Sequence, residues 1–263
     1  MSELTAIAHL IDRPVWAVSG VVKERQQDLE IAGSLPVSTF APLINLIPFR
    51  DDLTVSLINR RYIYRDPQVT AAFVEALGEA GLFERDGDQL SAAPRVQALA
   101  NEVNATVDII CSELWGADDE HALTVSEMAR RVLDAATDRH GLVGFAQRTT
   151  EPTDTLHQLW SRLTALRLVR NEAHVAAWTD VGLTPNDVEV LTSAWAGTAT
   201  QGDSAPSQGL IERGFVTDGV VNEEGLRVRQ QIEDATDDGV RQAYAAIDTS
   251  RFLDLLIDLA PTA

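Results

Sequence analysis

The chain has 263 residues, 45% of them apolar and 23% charged, with a formal net charge of −19. That length is enough for one large domain or two small ones, and no apolar run approaches the ~18 residues that a membrane helix needs. The single cysteine, Cys111, excludes an internal disulfide framework and any multi-thiolate metal site. The charge opposes nucleic-acid binding, whose affinity comes from cations that displace counterions from phosphates.

The first residues, "MSELTAIAHLIDRPVWAV", lack a basic region before their apolar positions and are interrupted by Asp12, Arg13 and Pro14. No secretory leader is therefore expected, and the protein is placed in the cytoplasm. Lysine occurs once, at Lys23, and arginine supplies the other cations. Periodicity then makes the chain mainly α. "DDLTVSLINRRYIYRD" and "DPQVTAAFVEALGEAG" read as two helices split at Asp66-Pro67, because proline suits a first helical turn and disfavours helix in the residue before it. Asp86-Gly87 follows between two short strands, a tight-turn signal, and a new helix follows the hairpin. Helix, turn, helix and hairpin form a winged-helix module.

In the first module's second helix, the reader of bases, Gln68 and Thr70 are the available polar groups, joined by Asp66, Glu75 and Glu79 without a cation. The preceding helix is richer. Arg60, Arg61 and Arg65 with Tyr62 and Tyr64 form a basic-aromatic cluster suited to DNA-backbone contact, or an exposed face of snorkelling arginines.

A helix around Glu102 to Trp115, the acidic turn "GADDEH", and a helix "TVSEMARRVLDAATDRH" opened by a capping box of Thr124 and Glu127 lead to "GLVGFAQRTTEPTD", taken as the domain boundary. The expected domains are 1–150 and 151–263. The second repeats the first: "GLTPNDVEVLTSAWAG" opens with Thr184 as N-cap, Pro185 and Asp187. A short helix of about two turns is expected from Pro206 to Arg213, then a hairpin at Asp218-Gly219. The final segment offers Tyr244, Phe252, Leu253, Leu255 and Leu256 to a homodimer seam or to the core.

The segments "LWSRLTALRLVRNEAHVAAWTDVGLTPNDVEVL" and "LIERGFVTDGVVNEEGLRVRQQIEDATD" carry a helix with Arg, acidic residue and His, a Gly-Leu turn, a Leu-x-x-Arg-Gly run into the wing, and an Ile-Glu-x-x-Thr-Asp exit helix. Over 157–259 this resembles an actinobacterial family of tandem helix-turn-helix proteins, MarR-like in the loose sense and often encoded near natural-product pathways. The resemblance implies a winged-helix fold and a transcriptional role in which a small-molecule effector tunes DNA binding. The shortened second recognition helix departs from that pattern.

On the long helix Leu156 to Trp178, Leu156, Leu159, Leu163, Leu166, Ala173 and Ala177 share one side, with Arg170 and His174 in its middle. An inward guanidinium requires an anion. Three readings follow: an internal pair with Glu233 or Asp237; a ligand site in which Arg170, His174, Trp160 and Trp178 hold an anionic or aromatic molecule; or acid/base chemistry by His174. The other histidines, His9, His121, His140 and His157, lack metal-ligand spacing, and no phosphate loop, nucleophile elbow or zinc motif occurs. No metal or cofactor is expected. The leading function is a ligand-responsive MarR-like regulator; the alternatives are an enzyme or ligand carrier of secondary metabolism on a winged-helix scaffold, or an acidic protein-docking module.

Overall fold

The computed structural model describes residues 2–116, 120–136, 151–197 and 206–259. Helix α1 (Glu3–Glu24) is opened by Ser2, whose hydroxyl accepts from the Thr5 amide at 3.1 Å. Ile7, Ile11, Val15, Val18 and Val22 recur every three or four residues and are all buried, the signature of a helix with one face in the core. Two short 3-10 turns lead to α2 (Val37–Leu43), a third 3-10 turn (Ile47–Phe49), α3 (Val55–Arg61) and α4 (Pro67–Glu79).

The break between α3 and α4 is the one expected, with Asp66 as N-cap accepting from the Gln68 amide. Strands β1 (Phe83–Asp86) and β2 (Gln89–Ala92) pair antiparallel, and Thr54 bridges to Gln89, adding a third short edge. This is a winged helix: mainly α, with a small β-hairpin wing.

The first hairpin turn differs from expectation by one residue. Asp86 pairs with Gln89, so the central residues are Gly87 and Asp88, and of these only Gly87 has positive φ. The reason lies in α3: Asp88 Oδ1 accepts from both the amide and the hydroxyl of Ser56, capping that helix, and this fixes its place in the turn.

Helices α5 (Pro94–Trp115) and α6 (Glu120–Ala135) follow. The expected capping box at Thr124 is absent. α6 already begins at Glu120, Thr124 lies inside it and donates its hydroxyl to the Glu120 carbonyl, and Glu127 binds Arg130 and Arg131 instead.

Helix α7 (Thr155–Asp180) precedes α8 (Pro185–Trp195), α9 (Gln208–Glu212), β3 (Val216–Thr217), β4 (Val220–Val221), α10 (Glu223–Tyr244) and α11 (Thr249–Leu259). The reciprocal box at α8 holds: Asp187 accepts from the Thr184 amide at 2.9 Å while Thr184 Oγ1 accepts from the Asp187 amide. Asp187 also accepts from the hydroxyl of Ser207, the N-cap of α9. Hydrogen bonds from Ser207 and Thr184 outweigh the opposing effect of burial and hold its carboxyl below the usual range. In the second hairpin both central residues, Asp218 and Gly219, have positive φ, as a mirror-image turn requires.

Two compact units emerge. The first is Met1–Val169 with Gln242–Ala263, where α11 packs on α1 and α6 and buries Phe252, Leu256 and Leu259. The second is Arg170–Arg241. The chain passes between them inside α7 and α10; most of the glycine-rich boundary expected near residue 150 lies outside the described residues. Among the described residues no helix is long and apolar enough to cross a membrane.

Within the second unit, α10 approaches its neighbours closely at two glycines. A Cβ on Gly225 would lie 2.7 Å from both the Phe215 carbonyl and Val221 Cγ1, and one on Gly239 would lie 3.0 Å from Ala173 Cβ. Gly225→Ala is therefore expected to destabilise the second unit by ~1–3 kcal/mol through overpacking. Gly20→Ala, in α1 where nothing lies within 4 Å of the added carbon, should instead gain up to ~1 kcal/mol of helix propensity. Urea denaturation of both variants beside the parent checks the opposite signs.

Candidate functional site

The segment of α7 in the second unit carries Arg170, Glu172 and His174, and the facing side of α10 carries Arg229, Glu233, Thr236 and Asp237. The 3.6-residue period puts 229, 233, 236 and 237 on one stripe of α10, and 170 and 174 one turn apart on α7. Arg170 donates from Nη1 to Asp237 Oδ1 at 2.5 Å and from Nη2 to Glu233 Oε2 at 2.6 Å. Glu233 Oε1 is 2.5 Å from Arg229 Nη1, an ion pair. Arg229 Nε donates to Thr192 Oγ1 at 2.8 Å, and its guanidinium stacks 5.3 Å from the Trp195 ring.

Two guanidiniums and two carboxylates sum to zero charge. Of the expected partners of Arg170, both candidate carboxylates are present and both bind it. Attraction from Arg229 and Arg170 outweighs desolvation and keeps Glu233 below the ordinary carboxylate range.

His174 sits beside this network. Thr236 donates its hydroxyl to the Ile232 carbonyl at 2.7 Å, so its remaining lone pair accepts from His174 Nδ1 at 3.1 Å. That places the ring proton on Nδ1. Burial first, and then the positive charges of Arg229 and Arg170 against the opposing Glu233, push the imidazole pKa down to about 4. At neutral pH it is an uncharged donor to Thr236.

Of the four residues expected to hold a ligand, Arg170, His174 and Trp178 fall in the second unit and Trp160 in the first. Trp178 is buried. The Trp160 indole N–H donates to the Val15 carbonyl at 3.4 Å, and its ring lies 5.7 Å from that of His157.

The three arginines expected at the DNA backbone sit at the end of α3 and in the turn before α4. Arg65 is exposed, its guanidinium 4.3 Å over the Tyr62 ring, and the Tyr62 hydroxyl donates to the Pro42 carbonyl at 2.6 Å. Arg60 is half-buried. Arg61 is also half-buried, and its Nε has no acceptor among the described residues. Burial, and then the neighbouring Arg167 and Arg65 against the opposing Tyr62, depress its pKa. The outward face of α4 presents Gln68, Val69, Ala71, Ala72, Glu75 and Glu79, while Thr70 is buried. Helix α9 has five residues, about 7.5 Å of rise, too short to lie along a major groove. His121 Nε2 is bonded to the Leu255 carbonyl, and no cluster of metal-ligating side chains occurs among the described residues.

Arg170→Met strands the buried Asp237 carboxylate and takes one of the two cations from Glu233, and is expected to cost ~3–5 kcal/mol; adding Asp237→Asn, which leaves the Arg229–Glu233 pair balanced, should recover a substantial part. Chemical denaturation of the single and double variants measures both. His174 has a second consequence. The unfolded imidazole titrates near 6.5 and the folded one at about 4, so the unfolded chain takes up a proton first as pH falls. Stability should then drop by about 2–3 kcal/mol between pH 7 and pH 4. His174→Gln is expected to remove that part of the slope, leaving the contributions of His157, whose pKa is also lowered by burial, and of carboxyls held below their usual range such as Asp187 and Glu233.

A helix-turn-helix family model matches residues 67–263, from the first residue of α4 through both hairpins. No curated protein and no solved structure matches the chain. The match takes in three-quarters of the sequence and both wings, which sequence resemblance had tied to the second half alone: the chain belongs to the helix-turn-helix family.

Proposed function

We propose that the protein is a ligand-responsive, MarR-like transcriptional regulator that meets DNA through its first winged helix, acting as a homodimer in the cytoplasm. In this reading Arg65, with Arg60 and Arg61 behind it, holds the DNA backbone. The first helix of a helix-turn-helix crosses the backbone where these arginines lie. The observation that carries the reading is the exposed Arg65 guanidinium stacked on Tyr62 at the turn between α3 and α4, in a chain of the helix-turn-helix family. The homodimer would supply two such modules to paired half-sites.

A second reading is favoured by the face of α4. Gln68 is its one exposed amide, and Glu75 and Glu79 oppose phosphates, so a winged-helix scaffold that carries or transforms a small molecule without DNA is the runner-up.

A mobility shift on a fragment from the protein's own upstream region separates the two. The regulator should shift the fragment at about 50 mM salt and lose affinity steeply as salt rises. Arg65→Ala should weaken binding uniformly across sequences and reduce the slope of log K against log salt by about 1. Absence of a shift at low salt removes the regulator reading and leaves the carrier.

A further inference from the structure

The first unit contains a cavity of about 350 Å³, at the small end of the range for ligand pockets. Its apolar walls come from Ile47, Phe49, Val103 and Trp160, and His157 is the imidazole among them. His157 is held rigidly. Its amide donates to Asp154 Oδ1 at 2.8 Å at the start of α7, and its Nδ1 lies 2.7 Å from Asp108 Oδ1. A carboxylate only accepts, so the ring proton is on Nδ1. The ring is only 3% exposed, and burial outweighs the pull of Asp108, so it stays neutral at physiological pH. Nε2 therefore carries a lone pair, and it has no bonding partner among the described residues. With Nδ1 turned to Asp108, Nε2 is the ring nitrogen that remains able to accept a hydrogen on this cavity-lining residue.

The charges at the walls decide what can enter. Asp51, Asp52 and Glu151 outnumber Arg50. Arg50 is already tied to the Ile47 carbonyl and to Gln97, and Glu151 to Arg162. An anion would meet net repulsion there. An uncharged ring system loses little on entering and gains apolar contact with Phe49 and Trp160.

We propose that this cavity is a small-molecule site for an uncharged aromatic compound bearing a hydroxyl or ring N–H, whose hydrogen is accepted by His157 Nε2. It supplies the effector site of the regulator described above and rests on that reading only for its effect on DNA. This site for a neutral donor at His157 is different from the one expected at Arg170, His174, Trp160 and Trp178 for an anionic or aromatic molecule, sharing only Trp160 with it.

Calorimetric titration of the full-length protein with 2-naphthol, 2-methoxynaphthalene and 2-naphthoate tests this without DNA. 2-Naphthol should bind at least about 10-fold tighter than either analogue, the value of one buried hydrogen bond. His157→Phe should bring 2-naphthol down to the level of the methyl ether, and Val103→Trp should abolish binding by filling the space. Equal affinity for the three compounds, binding of none, or a preference unchanged in His157→Phe would overturn the proposal. The comparison of compounds on the parent protein decides the matter even where a variant fails to fold. A positive titration beside a negative mobility shift would remove the regulator and keep the pocket.

Discussion

A guanidinium withdrawn from water must be met by carboxylate oxygens at bonding distance, and that requirement organises the second unit. Glu233 and Asp237 stand one turn apart on α10, and Arg170 spans both from α7 at 2.5–2.6 Å. The same two helices approach closely where Gly239 leaves room for Ala173. The small residues and the charged residues are thus two halves of one arrangement. Arg229 completes it by pairing with the second oxygen of Glu233, so that these two guanidiniums and two carboxylates balance.

The same economy shapes the surface. Arg227 and Arg241 on α10 each pair with a carboxylate three residues earlier, Glu224 and Asp238, and Arg213 is spent on the carbonyls of Val181 and Gly182. The cations of the second unit are committed to their own chain. With α9 reduced to five residues, that unit has neither the helix length nor the free positive charge for phosphate contact. In the proposed reading, contact with a nucleic acid therefore belongs to the first unit, where Arg61 and Arg65 lie together around Tyr62.

The second unit was largely legible in the sequence because its signals are local or periodic. Arg170 and His174 fall inward on a 3.6-residue wheel, Glu233 and Asp237 share a stripe on the exit helix, and Thr184-Pro185-x-Asp187 opens a helix by local chemistry alone. What sequence left unread depends on contacts between distant residues. Thr124 to Glu127 matches a capping box, yet the helix starts a turn earlier and the hydroxyl turns back to the Glu120 carbonyl. Asp86-Gly87 reads as the turn pair, yet Asp88, 32 residues beyond Ser56, is drawn into capping α3 and shifts the turn. Phe252 and Leu256 read equally well as a seam or a core, and the choice was made by α1, at the other end of the chain.

The two buried histidines show how far context decides the role of one residue type. Both are neutral because burial penalises the imidazolium. His174 Nδ1 meets a hydroxyl already committed to a carbonyl, and two guanidiniums nearby oppose any further proton, so the ring serves as a fixed link between α7 and α10. His157 Nδ1 meets the carboxylate of Asp108, 49 residues away, which orients the ring and leaves its other nitrogen without a partner on a residue that lines the cavity of the first unit. The periodic pattern singled out His174 because it is flanked by an inward arginine. His157 had only Asp154 nearby as a helix cap, so the partner that defines its chemistry could be found only once α5 and α7 were packed together.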